Sequence, residues 1–324
     1  MKYFVTGATG FVGGVLARKL REAGHEVNAS VRSPEKAKEL EALGVKLFKG
    51  DVTDKESMRA AMTGVDGVFH VAGWYKIGAK DKSDGVKVNI NGTRNVLELM
   101  QELKIPKGVY TSTLAVNSDT KGKVVDESYH FTGRHISEYD RTKAEAHKIA
   151  NEFIARGLPL VIVQPGLIYG PGDTSSLRSS ILNLLKGQLP MLPLQTAYNW
   201  AHVDDIVQGH ILAMEKGKAG ESYFICGEKY ELYEAFKLAA QTANVRAPMA
   251  AAPGMMKVMS VLVTPFDAFM PESYTSEGLR VIAGITYLGD NSKAKRELGW
   301  EPKINVDEGV NMLFDWVSQN KSLF

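Results

Sequence analysis

A tyrosine and a lysine stand four residues apart in Tyr139-Asp140-Arg141-Thr142-Lys143. On a helix, residues at that spacing share a face. A free phenol titrates near ~10, too high for proton transfer at neutral pH. A neighbouring ammonium favours the phenolate, so Lys143 is expected to bring Tyr139 down toward the range useful for general acid–base work. Such pairs are common on solvated helices and carry little alone. A site built on them also needs a hydroxyl to hydrogen-bond the substrate oxygen. One apolar run ends in Val109-Tyr110-Thr111-Ser112-Thr113. Thr113 is the first choice and Ser112 the second, because strand ends at the carboxyl edge of a parallel sheet are where sites form. The bland alternative is hydroxyls that satisfy local backbone groups.

The pair gains weight from the other end of the chain. Thr6-Gly7-Ala8-Thr9-Gly10-Phe11-Val12-Gly13 joins a short apolar run to an amphipathic one, with glycines at 7, 10 and 13. A tight turn and close approach of a pyrophosphate both need residues without side chains, and a helix start offers free N–H groups and a positive dipole end. A strand before and a helix after supply the context that a bare glycine trio lacks. A dinucleotide is therefore expected here, and Lys143 can reach its nicotinamide ribose. An acidic residue after the second strand is the usual mark of NAD binding. Here the chain reads Val31-Arg32-Ser33. A guanidinium can grip a 2′-phosphate in a forked geometry. NADP(H) is thus preferred and NAD(H) second, with Arg32 paired to Glu35 or merely solvated as the plain alternative. Lys36 and Lys38 either assist it or face water.

These residues need a scaffold. Strands are expected at 3–5, 26–31, 45–49, 66–71, 107–112 and 159–164, and helices at 11–23, 34–43, 54–62, 89–103 and 138–156. Alternation of this kind implies βαβ units and a parallel sheet. The fold class is α/β, a Rossmann-type doubly wound parallel sheet with a smaller, irregular C-terminal substrate-binding region. Residues 1–164 plus about 203–227 form the cofactor half of this reading, and about 165–202 plus 228–324 the substrate half. The 324 residues suffice for a sizeable core. A net charge of +2 gives no electrostatic case for nucleic acid. Cys226 is the single cysteine, so no disulfide framework exists, and it reads as core rather than nucleophile. No targeting signal is read at the N-terminus. The Met-rich stretch 247–266 is broken by Lys257 and prolines and falls short of the roughly 18 uncharged apolar residues of a membrane span. A cytoplasmic protein is the expectation.

The ordered motifs resemble the extended short-chain dehydrogenase/reductases, the NAD(P)-dependent epimerase/dehydratase family, over nearly the whole chain. The segments that carry the resemblance are 6–13, Asp51-Val52, His70-Val71-Ala72-Gly73, Asn89-Ile90-Asn91-Gly92-Thr93, the Tyr139–Lys143 pair, Pro165 to Gly172, His202-Val203-Asp204-Asp205 and Leu298 to Pro302. The resemblance implies that Asp51 and Val52 contact adenine. It implies that Val71, Ala72 and Gly73 line the cofactor, with Gly73 departing from the usual alanine, and that Pro165, Gly166 and Ile168 lie beside the nicotinamide. Thr113 falls where the family carries its catalytic serine. Asn89 would be structural, and so would His202, Asp204 and Asp205, so no metal is expected. A homodimer through the helices 89–103 and 138–156 is implied as well.

Departures narrow the function. Sugar-nucleotide dehydratases place an Asp and a Glu after the catalytic hydroxyl, where Leu114 and Ala115 stand. Many nucleotide-sugar epimerases hold the diphosphate with an asparagine and an arginine, where Leu167 and Tyr198 stand. A diphosphate would be poorly neutralised without them. What remains is similar to the dihydroflavonol 4-reductase branch, with the hopanoid-associated sugar epimerase-like group as a rival. Trp74 and Tyr75 suit an apolar or ring-shaped small-molecule substrate, against ordinary packing under a loop. Met249, Met255, Met256, Met259 and Met270 suit an adaptable pocket, lid or partner surface, or, slightly favoured, an ordinary core. The expected activity is NADPH-dependent reduction of a ketone or aldehyde with Tyr139 as proton donor. The alternatives are a sugar epimerase using the same residues and a non-catalytic NADPH-binding protein.

Overall fold

The computed structural model describes residues 1–320. Its strands are β1 (Lys2–Thr6), β2 (Glu26–Val31), β3 (Lys46–Lys49), β4 (Gly67–His70), β5 (Gly108–Thr111), β6 (Leu160–Pro165), β7 (Leu167–Tyr169), β8 (Met191–Pro193), β9 (Ala197–His202), β10 (Ser222–Ile225), β11 (Lys229–Glu231), β12 (Met249–Ala251) and β13 (Thr286–Tyr287). Its helices are α1 (Phe11–Glu22), α2 (Lys38–Ala42), α3 (Lys55–Met62), α4 (Thr93–Glu102), α5 (Glu138–Ala155), α6 (Ser176–Leu185), α7 (Val203–Lys216), α8 (Leu232–Thr242), α9 (Pro253–Val263), α10 (Ser276–Val281), α11 (Ser292–Leu298) and α12 (Val306–Gln319).

Seven strands form one sheet in the order β10-β6-β5-β4-β1-β2-β3, and each neighbouring pair is parallel. A parallel sheet must be covered on both faces, so its strands read as apolar runs. On one face Leu16 and Leu20 of α1, Ile206 and Val207 of α7, and Trp300 pack on Val5, Phe69 and Val163. On the other, Met58, Leu97, Met100, Ile149 and Phe153 from α3, α4 and α5 pack on Phe4, Val68 and Ile162. The winding reverses between β1 and β4. In a doubly wound sheet that reversal opens a crevice at the carboxyl ends of the strands, where ligands bind. The fold is thus the doubly wound Rossmann type that the alternation predicts.

Beyond β6 the chain builds smaller units. β7, β9, β11 and β13 form a mixed sheet around β9, and β8 pairs with β12. Tyr169, Trp200, Phe236, Leu313 and Phe314 make a separate core beneath α6, α8 and α12.

Three local readings change. The helix expected at 34–43 is a short 3₁₀ turn at Pro34–Lys36 followed by α2; Pro34 sets the first turn's dihedral but donates no N–H. The helix expected at 89–103 begins earlier, as a wide π-type turn over Gly85–Gly92 that runs into α4. The Met-rich stretch is not core. α9 buries a narrow strip with Met256 and Ser260, while Met255, Val258, Val261, Leu262, Phe266 and Phe269 are exposed. Among the described residues no helix is long and apolar enough to cross a membrane.

Candidate active site

The glycine turn lies between β1 and α1. Gly7 has φ +71°, and a Cβ there would fall 2.8 Å from Ala72 N. A Cβ on Gly13 would lie 2.2 Å from Gly7 O, so α1 can approach the turn only with glycine there. Thr9 and Gly10 are exposed, and Phe11 and Val12 half-buried. Gly10 caps α1 without a side-chain hydrogen bond, and no acid lies in the first turn. The first N–H groups of a twelve-residue helix are therefore left to an anion. This cradle fits a pyrophosphate.

The neighbouring strand ends carry the other expected cofactor contacts. The Arg32 side chain is 84% exposed, and its Nε is 4.0 Å from Asp51 Oδ2. A pair so loose and solvated contributes little, and its fork is open to another partner. Asp51 Oδ1 accepts from Thr53 N and Thr53 Oγ1. Val52 is buried, and its carbonyl accepts from Asn95 Nδ2 at 2.8 Å. Val71, Ala72 and Gly73 leave β4 half-buried. A Cβ on Gly73 would point toward Asn89 Oδ1 and Lys143 Nζ, at 3.5 and 4.0 Å, so its absence keeps open the space before the lysine. Pro165 ends β6 and Ile168 lies in β7. Between them Gly166 passes so close to β9 that a Cβ would lie 2.2 Å from Asn199 O.

The catalytic candidates converge from β5 and α5. Ser137 caps α5, its side chain accepting from Asp140 N, which starts the helix just before Tyr139. The buried Tyr139 phenol lies within electrostatic reach of the Thr113 hydroxyl, whose Oγ1 accepts from Ala115 N at 3.2 Å. Ser112 turns the other way, its Oγ lying 2.8 Å from His147 Nδ1. Ser112 thus ties β5 to α5. Lys143 is buried, and its Nζ donates to Thr111 O at 2.7 Å and lies 3.3 Å from Tyr110 Oη.

The electrostatics differ from the expectation. Burial pushes the Tyr139 phenol up to about 12, with the Thr113 hydroxyl opposing and Asp140 adding to the rise. Burial pushes Lys143 down to about 7. The lysine engages β5 rather than the tyrosine, so it does not draw the phenol down. Desolvation outweighs the charge effect on which the spacing argument rested. A phenol held this high keeps its proton throughout the neutral range, which suits a donor.

Asn89 explains the wide turn before α4. Its Oδ1 accepts from Trp74 N at 2.7 Å, and its Nδ2 donates to Trp74 O and Thr142 Oγ1, both at 2.9 Å. One amide thus fastens the β4 loop to α5. Trp74 itself is buried, its ring packed against Gly85 under this turn. Tyr75 is exposed and reaches over to Thr174, Oη to Oγ1 3.1 Å. Tyr198 stacks on Tyr287 with ring centres 5.7 Å apart, and Leu167 packs into the second core. Neither position offers a diphosphate a donor from a charged group. Asp204 pairs with Lys19 at 3.1 Å, and Asp205 Oδ2 accepts from Lys303 N and Ile304 N. Cys226 is buried, and burial raises its thiol far above the ordinary range.

Four polar groups that the sequence reading did not single out lie behind the lysine: Thr6, His70, Thr93 and Tyr110. His70 Nδ1 is 2.8 Å from Thr6 Oγ1 and its Nε2 is 3.0 Å from Thr93 Oγ1. Their signal in the sequence is slight, a histidine and a threonine beside motifs with assigned roles.

Comparison with known proteins follows the same lines. Residues 3–226 match the NAD dependent epimerase/dehydratase family. A protein named as a dihydroflavonol 4-reductase from Synechocystis sp. is 31% identical, covering 97% of this chain and 94% of its own. The 4-hydroxy-2-methyl-3-oxo-4-farnesyl-3,4-dihydroquinoline-1-oxide ketoreductase of Stigmatella aurantiaca is 30% identical, covering 97% and 96%. Among solved structures, the UDP-glucose 4-epimerase of Thermotoga maritima superimposes over 100% of both chains with a TM-score of 0.80 at 22% identity, a likeness of fold.

Proposed function

From its membership of the NAD dependent epimerase/dehydratase family, which makes this chain an NAD(P)-dependent oxidoreductase of the extended short-chain dehydrogenase/reductase type, we propose that it reduces a ketone or aldehyde of a small, partly apolar substrate with NADPH. The observation that carries this reading is the buried Tyr139 phenol, which keeps its proton and lies within reach of the Thr113 hydroxyl that follows β5.

When bound, the reduced nicotinamide nucleotide supplies the hydride. The glycine turn at 7–13 and the first N–H groups of α1 hold its pyrophosphate, and the Arg32 fork takes its 2′-phosphate. Asp51 and Val52 flank the adenine. Val71, Ala72, Gly73, Pro165, Gly166 and Ile168 wall the nicotinamide end, and Lys143 turns an N–H to the ribose. Thr113 donates a hydrogen bond to the substrate oxygen. Tyr139 Oη gives that oxygen its proton as negative charge develops there, and the preformed donors lower the barrier because they need no reorganisation. In this reading 1–164 with about 203–227 form the cofactor half, the remainder forms the substrate half, and the chain pairs with a second copy through α4 and α5. The reductase-type relatives and the uncharged replacements Leu167 and Tyr198 favour a carbonyl compound over a nucleotide-sugar.

Two measurements test the proposal together. Incubation with a panel of apolar ketones and aldehydes is expected to give one alcohol per NADPH consumed. Arg32→Ala is expected to weaken NADPH binding by about 10- to 100-fold, the value of a charge-assisted pair, while NADH binding stays as it was. An Arg32→Ala protein with unchanged NADPH affinity contradicts the cofactor assignment.

A further inference from the structure

Helix α9 is built inside out. The residues it buries are Met256 and Ser260, four apart. Met255, Val258, Leu262, Phe266 and Phe269 follow one another at spacings of three and four along α9 and the 3₁₀ turn Thr264–Phe269, and all are exposed. Val261 and Pro265 are exposed between them. Phe269 is 85% exposed and Val261 70%. Single apolar residues on a surface are ordinary, but a continuous row of this size marks a contact with a partner or a membrane. With side chains standing this far into solvent, the row is a ridge and not a groove.

The charges around the ridge select its occupant. The one acid between Met255 and Phe269 is Asp267, and it turns inward, Oδ1 accepting from Ser276 N and Oδ2 from Ser276 Oγ. Lys257 stands exposed on α9. The loop 75–82 packs against the segment that follows Phe269. A Cβ on Gly78 would lie 2.1 Å from Glu272 O, and Glu277 of α10 accepts from Gly78 N at 3.4 Å and pairs with Lys82. That loop brings exposed Lys76 and Lys80 to the end of the ridge. Among the described residues no carboxylate pairs with Lys76, Lys80 or Lys257, and the exposed acids beside them are Asp81 and Glu272. Tyr75 and Tyr274 are exposed at the same end, and amphipathic rings of this kind suit the level of lipid headgroups.

We propose that the ridge formed by α9 and the turn Thr264–Phe269 rests in the surface of an anionic lipid bilayer, with Phe266 and Phe269 entering the acyl boundary and Lys76, Lys80 and Lys257 meeting the lipid phosphates. Such a helix lies in the plane of the interface and does not cross it. Lipid deforms around a ridge, whereas a protein partner needs a matching groove, and a second copy related by a two-fold axis would bring this lysine surplus against itself. The ridge also lies at the rim of the candidate active site, because Glu277 accepts from Glu138 N at 3.2 Å, one residue before Tyr139. An apolar substrate of the proposed kind then enters from the lipid. The inference rests on the proposed function for this consequence alone.

The test uses the intact protein without nucleotide or substrate. It is co-sedimented with vesicles of phosphatidylcholine alone and of phosphatidylcholine with phosphatidylglycerol, and sedimentation velocity without vesicles reads its oligomeric state. The expected result is binding to the anionic vesicles that exceeds binding to phosphatidylcholine and falls as salt rises. Phe266→Ser and Phe269→Ser are each expected to lower the binding constant by at least about 10-fold. Lys76→Glu combined with Lys80→Glu is expected to lower it by at least about 10-fold on the anionic vesicles. Tm should stay near native in every variant, because the altered side chains are exposed. Absence of vesicle binding overturns the proposal, and self-association that Phe269→Ser abolishes would then assign the ridge to a second copy. Equal binding to both vesicle types, or binding that these substitutions leave unchanged, overturns it as well. None of these outcomes touches the carbonyl-reductase reading, which stands or falls on product formation.

Discussion

Tyr139→Phe is expected to lower kcat for carbonyl reduction by about 10³-fold, within the range general acid catalysis contributes. The substitution keeps the ring and removes only the phenolic oxygen. NADPH affinity should stay close to native, because the glycine turn and Arg32 are untouched. Single-turnover rates and a fluorescence titration separate the two. The pH profile carries a further expectation. The phenol is raised to about 12, so the native enzyme holds its donor proton below that value and loses it only as pH rises toward it. Activity through neutral pH is then not limited by ionisation of Tyr139. Turnover retained in Tyr139→Phe contradicts the assignment of the proton donor.

Gly13→Ala carries the second large effect. The new Cβ would sit 2.2 Å from Gly7 O, far inside contact distance; the Cβ is fixed by its own backbone and the oxygen is backbone, so neither can rotate away. α1 must shift from the turn, and with it the N–H groups that face the pyrophosphate. Overpacking of this kind destabilises by about 1–3 kcal/mol, read as a fall in Tm, and NADPH binding should weaken by at least about 100-fold if the anion contacts are lost. Gly14→Ala is the control. Its Cβ would come 3.3 Å from Ala8 O, tight but far milder than 2.2 Å, and alanine favours a helix interior, so the losses of stability and binding should be much smaller than for Gly13→Ala. Equal losses in both variants would mean that helix α1, and not the approach of Gly13 to Gly7, governs the site.

The scaffold was legible because its signals are local and repeated. Apolar runs such as Val68-Phe69 and Leu160 to Val163 are buried on both faces of the sheet, and that condition writes itself into composition. Glycines 7 and 13 are legible for a similar reason, since only one residue type fits where backbone meets backbone. Spacing could place Tyr139 and Lys143 on one helix but not say what each touches. The lysine bonds Thr111 and Tyr110 from a strand about 30 residues away in sequence, and burial, a property of the assembled fold, sets the phenol's affinity for its proton. Ser112 likewise takes a distant partner, His147, that spacing could not reveal. The packing of Trp74 was not legible because an aromatic at a strand end looks the same whether it lines a pocket or packs beneath a turn that Asn89 fastens. The exposed face of α9 ran against composition, which cannot distinguish Met and Val in a core from the same residues on a surface.

The central claim is that this protein uses NADPH as an exchanging reductant and does not recycle a retained cofactor. The freshly purified protein should be denatured and any released nucleotide identified, and the undenatured protein titrated with NADPH and NADH by fluorescence. The account predicts no stoichiometric nucleotide and tighter binding of NADPH than of NADH. Stoichiometric NAD⁺ released from the protein would contradict it, remove the role given to Arg32, and place epimerisation first.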